Sequence, residues 1–290
     1  MIDKSSFNEN LLITGGEGFI GKSLRKVLDL EGIKYYACPN SSQLNLCDFT
    51  QVKALPKASV ILHFAAKTSI PESFNAPADF YYNNIISTLN ILEKAKQDAA
   101  KVIFLSTYVY GIPTSLPVDE SHVTQPLNPY TQSKVICEEL CASYSRDFSI
   151  PVVVIRPFNI YGPGQASNFF IPTIFSQLKQ RQIHLQNSKP KRDYVFINDL
   201  IDAIILLLKN NFKGYEIYNV GSGFSYSVKE VVNMILELSN SKADVHYTDI
   251  PRKGEVYDCR ASIDKIYNAI GWKPKTTIRD GLLEIFKSYS

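Results

Sequence analysis

The stretch "LLITGGEGFIGKSL", residues 11–24, sets an apolar run against three glycines and then a helical pattern. Gly15, Gly18 and Gly21 recur at three-residue spacing. A glycine turn between a first strand and a first helix lets the backbone come close to a pyrophosphate, and the helix N-terminus then faces the negative charge. The spacing here is G-x-x-G-x-x-G, not G-x-G-x-x-G, and by itself it reads equally well as a structural turn. Its place at the first strand–helix junction is what points to a dinucleotide.

Working outward, short apolar strands alternate with longer helical patterns. LLIT (11–14) is followed by helix GFIGKSLRKVLDL (18–30). YYAC (35–38), VILHFA (60–65), VIFLS (102–106) and PVVVIRPF (151–158) read as buried strands, and EIYNVGSG (216–223) as a later one. Residues 78–97 and 129–148 carry apolar side chains at three- and four-residue spacing and read as helices. Strand–helix alternation predicts an α/β fold with a parallel, doubly wound sheet. After Tyr161 the rhythm changes, which predicts a smaller C-terminal lobe. The expected division is a sheet domain over 1–158, to which 193–222 return, and a lobe made of 159–192 and 223–290.

The chain has 290 residues, 45% of them hydrophobic, and a formal net charge of +3. That balance gives no electrostatic reason to expect nucleic acid. No apolar run reaches the roughly 18 residues of a membrane span, and MIDKSSFNEN lacks the apolar core of a signal peptide. Five cysteines at irregular spacing suggest reduced thiols and a cytoplasmic protein. Cys137 and Cys141 stand four apart with no nearby histidine, so helix packing accounts for them and no metal is expected.

The end of the second strand bears on the choice of cofactor. A carboxylate there binds the adenosine ribose in NAD enzymes. Cys38, Pro39, Asn40, Ser41 and Ser42 include neither an acid nor an arginine. Nothing repels a 2′-phosphate, and Asn40 and Ser41 could donate to it, which gives NADP a slight preference over NAD. Alternatively, 40–42 form only a turn. Further on, Tyr130 and Lys134 lie in PYTQSK at i and i+4 on one helix face. A lysine charge beside a phenol favours the phenolate and lowers its pKa, which suits proton transfer. Ser106, at the end of VIFLS, is placed to orient a substrate oxygen.

Glycine turn, serine and Tyr–Lys pair in this order resemble an extended short-chain dehydrogenase/reductase of the nucleotide-sugar epimerase/dehydratase group. The likeness runs through GGEGFIG (15–21), HFAAKTSIPESF (63–74), NNIISTLNILE (83–93), STYVYG (106–111), PYTQSK (129–134), RPFNIYGPGQ (156–165), KRDYVFINDL (191–200), YNVGSG (218–223) and IGWKP (270–274). It implies a Rossmann-type sheet with a smaller substrate-binding lobe. It also implies roles: Gly15, Gly18, Phe19, Ile20 and Gly21 for pyrophosphate, and Asp48 for adenine. Ala65, Ala66 and Lys67 would lie beneath the pyrophosphate and nicotinamide ribose, and Phe158 near the nicotinamide. Ser106, Tyr130 and Lys134 would be catalytic, with Asn84 a fourth member. Asn159, Asn168, Arg192 and Arg252 would hold the substrate's nucleotide diphosphate, with Thr68, Ser69 and Thr107 lining the sugar. A homodimer through the helices near 81–96 and 130–148 is a further implication.

The resemblance also bears on the reaction. Dehydratases of the group carry an Asp–Glu pair just after the catalytic hydroxyl, where this chain has Thr107 and Tyr108. Decarboxylating members have a glutamate at the position of Tyr108. Members that epimerise C3 and C5 use a Cys–His pair, and no cysteine closely follows Ser106. What remains is hydride transfer at C4 of a nucleotide-linked sugar. A 4-ketoreductase consuming NAD(P)H is the first reading and a 4-epimerase with retained NAD the second. A cofactor-sensing or nucleic-acid-binding protein without catalysis is the remote one, disfavoured because Ser106, Tyr130 and Lys134 are all present.

Overall fold

A computed structural model describes residues 10–251 and 254–289. Along the chain come β1 (Leu11–Thr14), α1 (Phe19–Glu31), β2 (Tyr35–Ala37), α2 (Phe49–Lys53), β3 (Val60–His63), α3 (Ile70–Asn75), α4 (Pro77–Asp98), β4 (Lys101–Leu105), α5 (Pro129–Phe148) and β5 (Val152–Pro157). After them follow β6 (Asn159–Tyr161), α6 (Phe170–Leu178), β7 (Gln182–Leu185), β8 (Lys191–Phe196), α7 (Ile197–Lys209), β9 (Tyr215–Val220), β10 (Ser225–Ser227), α8 (Val228–Ser239), β11 (Asp244–Tyr247), α9 (Asp264–Ile270) and α10 (Ile278–Tyr289).

The central sheet is parallel, with strand order β2-β1-β3-β4-β5-β9. Its strands are near-continuous apolar runs, and Leu11–Thr14, Val60–His63 and Val102–Leu105 are buried throughout. A parallel sheet covered on both faces requires such runs, whereas a half-exposed strand would alternate. The chain leaves β1 for β2 on one side and returns to β3 on the other. This reversal opens a crevice beyond the carboxyl ends of β1 and β3, the usual ligand position in such sheets. The register aligns those ends, with Thr14 opposite His63 and Ile13 opposite Ala37.

The chain divides into two compact units. Of the described residues, the first takes those in 10–109, 124–156 and 204–218; the second takes those in 110–123, 157–203 and 219–289. Tyr110–Val123, expected in the sheet domain, thus falls in the second unit, and the return to the first begins at Ile204 rather than 193.

In the second unit β8 pairs antiparallel with β10 and parallel with β6, while β7 and β11 pair separately. Two buried aspartates organise it. Asp193 accepts from the Ser222 N–H (2.6 Å), the Gly223 N–H (2.9 Å) and the Ala261 N–H (3.0 Å). Asp199 accepts from the N–H groups of Lys275 and Thr276, both at 3.0 Å. These carboxylates satisfy turn N–H groups that burial would otherwise orphan. Among the described residues no helix is long and apolar enough to cross a membrane.

Candidate active site

Sterics dictate the glycine turn after β1. Gly15 has φ +71°, and a methyl group on it would stand 2.6 Å from the Ala65 nitrogen. A methyl group on Gly21 would stand 2.2 Å from the Gly15 carbonyl oxygen. The turn is therefore folded tightly against the loop that leaves β3, and only glycine fits at either position. Gly18 is the N-cap of α1, with no side-chain cap and no acid in the first turn. Phe19 and Ile20 follow as its first residues. This leaves a helix N-terminus whose N–H groups and dipole suit an anion.

The tyrosine begins α5. Asn128 caps the helix, accepting from the Thr131 N–H at 2.9 Å, and Pro129 opens the first turn. Tyr130, Lys134 and Glu138 then recur every four residues, so one helical stripe carries all three. Each meets the C-terminal end of β4. The Tyr130 phenol is hydrogen-bonded to the Thr107 side chain. The Lys134 Nζ stands 4.0 Å from the centre of the Phe104 ring. Glu138 accepts a short hydrogen bond from the Ser106 hydroxyl.

Ser106, expected to act with Tyr130, is buried, and its hydroxyl donates to Glu138, which Arg156 also clamps through Nε at 3.1 Å to each carboxylate oxygen. The reason is strand geometry: Ser106 lies two residues beyond Phe104 and so shares its sheet face. Ser106 still belongs to the sheet ladder, its N–H bonding Ile155 O at 2.8 Å. Thr107, one residue further on, brings the hydroxyl to the phenol. The phenol pK is not lowered. Burial pushes Tyr130 up to about 12, outweighing the hydrogen bond from Thr107. Burial also holds the Lys134 ammonium below its ordinary range. At neutral pH the site therefore presents a protonated phenol.

Asn84 acts as a brace. It is buried, its Oδ1 accepts from the Lys67 N–H (2.8 Å), and its Nδ2 donates to Lys67 O (3.1 Å) and Ser133 Oγ (2.9 Å). It thereby fastens the loop 64–69 to α5. Beneath that loop His63 bridges Thr14 Oγ1 (2.7 Å) and Thr88 Oγ1 (3.1 Å), and Thr14 Oγ1 accepts from the Ala65 N–H at 3.2 Å. Burial, reinforced by the Lys134 charge, pushes the His63 imidazole down to about 3, so it is neutral.

Elsewhere in the first unit, Ala65 and Ala66 are half-buried, while Lys67 and Thr68 are exposed. Ser69 caps α3. Asp48 is spent on capping α2, accepting from the Thr50 N–H and hydroxyl and from Gln51 Nε2. Asn40 closes a turn by accepting from the Ser42 N–H at 3.1 Å, and Ser41 is exposed beside it. In the second unit Phe158 is buried. Asn159 Nδ2 donates to Asp193 O at 3.0 Å, and Asn168 is exposed. Arg192 donates to the carbonyls of Lys191 and Val256. Arg252 lies outside the described residues.

Glu138, Arg156 and Arg25 are additions to the expected set. The i+4 spacing that links Tyr130 to Lys134 extends to Glu138 and could have found it. Nothing local pointed to Arg25, which reaches from α1 to Gly16 O at 3.3 Å. Among the described residues no group of three or more His, Cys, Asp or Glu side chains could hold a metal ion.

Comparison with known proteins now bears on this geometry. The model of the NAD-dependent epimerase/dehydratase family matches residues 11–221. A Pseudomonas aeruginosa protein described as GDP-6-deoxy-D-mannose reductase is 28% identical, covering 97% of both chains. A Methanocaldococcus jannaschii protein described as a putative UDP-glucose 4-epimerase is 31% identical, covering 95% of this chain and 96% of the other. The solved structure of RMD from Pseudomonas aeruginosa complexed with NADPH superposes with a TM-score of 0.89 at 28% identity, covering 97% of this chain and 99% of that one. With the glycine turn, the Tyr130–Lys134 helix and a match across most of its length, the chain belongs to the NAD-dependent epimerase/dehydratase family of nucleotide-sugar enzymes.

Proposed function

We propose that this protein is a nucleotide-sugar 4-ketoreductase. It reduces a 4-keto group on a nucleotide-linked (deoxy)hexose with NADPH or NADH. What supports this reading is that Tyr130 and Lys134 share one face of α5 with Thr107 beside the phenol, and that no acid–base pair follows that hydroxyl. A carbonyl becoming an alcohol needs an acid, and a phenol that keeps its proton at neutral pH is one. Thr107 orients the sugar oxygen toward that proton, taking the role expected of Ser106. Tyr108 and Val109 follow Thr107, so the chain lacks an acid–base pair there for elimination.

The residues present fit a dinucleotide. The glycine turn and the uncapped N-terminus of α1 suit its pyrophosphate. Ala65, Ala66 and Lys67, braced by Asn84, would line its nicotinamide half. When bound, a reduced nicotinamide supplies hydride. The chain's own residues position the sugar, hold the proton at the Tyr130 oxygen and deliver it to the new alkoxide. Lys134 sits one turn along the same helix face and favours the phenolate left behind. Asn159, Asn168 and Arg192 hold the substrate's diphosphate. Two copies pair through α4 and α5, which pack side by side.

A second reading is a 4-epimerase, supported by the 31% identity to a putative UDP-glucose 4-epimerase. One experiment separates the two. The purified protein is incubated with a panel of nucleotide 4-ketosugars and with NADPH or NADH, and cofactor retained through purification is measured. The reductase reading expects stoichiometric oxidation of added cofactor and little retained. Sugar epimerisation without added cofactor, by protein that purifies with NAD bound, overturns it.

A further inference from the structure

The end of β2 carries no charge of its own, yet the fold brings one there. Arg25 lies in the second turn of α1. A methyl group on Gly16 would stand 3.1 Å from Ala37 Cβ and 3.4 Å from Arg25 Cδ. The arginine stem and the last residue of β2 thus close on the same piece of glycine-turn backbone. The guanidinium donates through Nη1 to Gly16 O (3.3 Å) and to the Glu17 carboxylate, and through Nε to the Tyr35 hydroxyl (3.4 Å). Tyr35 in turn donates to Asp29 at 2.8 Å. Lys22 and Lys26 share the surface groove that Glu17 and Arg25 line. The side chains of Arg25 and Glu17 remain 30% and 52% exposed, so a ligand can reach the pair.

In a sheet of this topology the adenosine ribose lies where the glycine turn meets the end of the second strand, and an arginine nearby accommodates a 2′-phosphate. Building on the NAD(P) reading above, we propose that Arg25 is the residue that selects the phosphorylated cofactor, with Glu17 as its competitor. A 2′-phosphate offers a guanidinium nearly two negative charges and three acceptor oxygens, where a carboxylate offers one charge and two oxygens. NADPH therefore takes Arg25 from Glu17. NADH offers a hydroxyl at that position and leaves the ion pair intact. Because NADPH must break the pair, its advantage is modest in the wild-type protein.

The test is fluorescence titration of NADPH and NADH into wild type, Arg25→Gln and Glu17→Gln. Circular dichroism confirms that each variant is folded. Arg25→Gln weakens NADPH about tenfold or more and moves NADH less than about twofold. Glu17→Gln tightens NADPH about threefold or more by freeing the guanidinium. Unchanged NADPH affinity in Arg25→Gln, or equal weakening of both cofactors, overturns the selecting role alone. A wild-type protein that binds neither cofactor overturns the dinucleotide reading, and this inference with it.

Discussion

The first unit holds two of its charge pairs in opposite ways. On the α5 stripe that carries Tyr130, Glu138 and Arg156 are paired deep inside, each side chain 5% exposed. Beside the glycine turn, Glu17 and Arg25 pair in the open, within reach of solvent. Breaking a buried pair leaves a charge in the low-dielectric interior, which is costly. An exposed pair exchanges partners cheaply and adds little to stability. The first pair is built to hold Thr107 and Tyr130 in register; the second can respond to what binds.

Three substitutions sharpen that contrast. Glu138→Ala removes the carboxylate that Arg156 clamps in the interior, and should destabilise the fold by about 3 kcal/mol or more in urea denaturation. A loss below about 1 kcal/mol would mean that the clasp is not a closed, dry pair. The next effect comes from His63, whose folded-state value is pushed down from 6.5 to about 3. The unfolded chain takes up a proton below pH 6.5 that the folded protein refuses. The contribution of His63 to stability is therefore complete above about pH 6.5 and lost progressively as pH falls toward 3. Across that window wild type should lose about 1.4 kcal/mol per pH unit more than His63→Gln does. Parallel pH–stability curves for the two proteins would show that the imidazole titrates normally. Smallest is Glu17→Gln, which should change stability by about 0.5 kcal/mol or less while altering NADPH affinity.

Legibility in the sequence differed between the same two regions. The sheet and its strands were readable because fully covered parallel strands must be apolar throughout. The glycine turn was readable because Gly15 and Gly21 have no steric alternative. Tyr130 and Lys134 were readable because helical spacing is local. The hydroxyl beside the phenol is that of Thr107, the neighbour of the serine expected there. Whether Ser106 or Thr107 faces the phenol depends on where β4 ends, and the side-chain face reverses with each residue. Several motif residues also make contacts within the fold that spacing does not reveal. Asp48 caps a helix, Asn84 braces a loop, and Asp193 holds the Ser222–Gly223 turn. Arg25 was invisible because its contacts to Gly16 and Tyr35 join a helix to a turn and a neighbouring strand. No periodicity encodes such a meeting.

In the proposed reduction, Thr107 and not Ser106 works with Tyr130. That pairing is tested most directly by single-turnover reduction of a nucleotide 4-ketosugar by NADPH in Thr107→Ala, Thr107→Ser and Ser106→Ala, with Tyr130→Phe as the reference for loss of the proton carrier. Tyr130→Phe and Thr107→Ala should each slow the hydride step about 100-fold or more. Thr107→Ser should recover most of the rate, and Ser106→Ala should stay within about tenfold of wild type, since its hydroxyl acts only through Glu138. A Thr107→Ala enzyme near the wild-type rate, beside a Ser106→Ala enzyme as slow as Tyr130→Phe, would contradict the account.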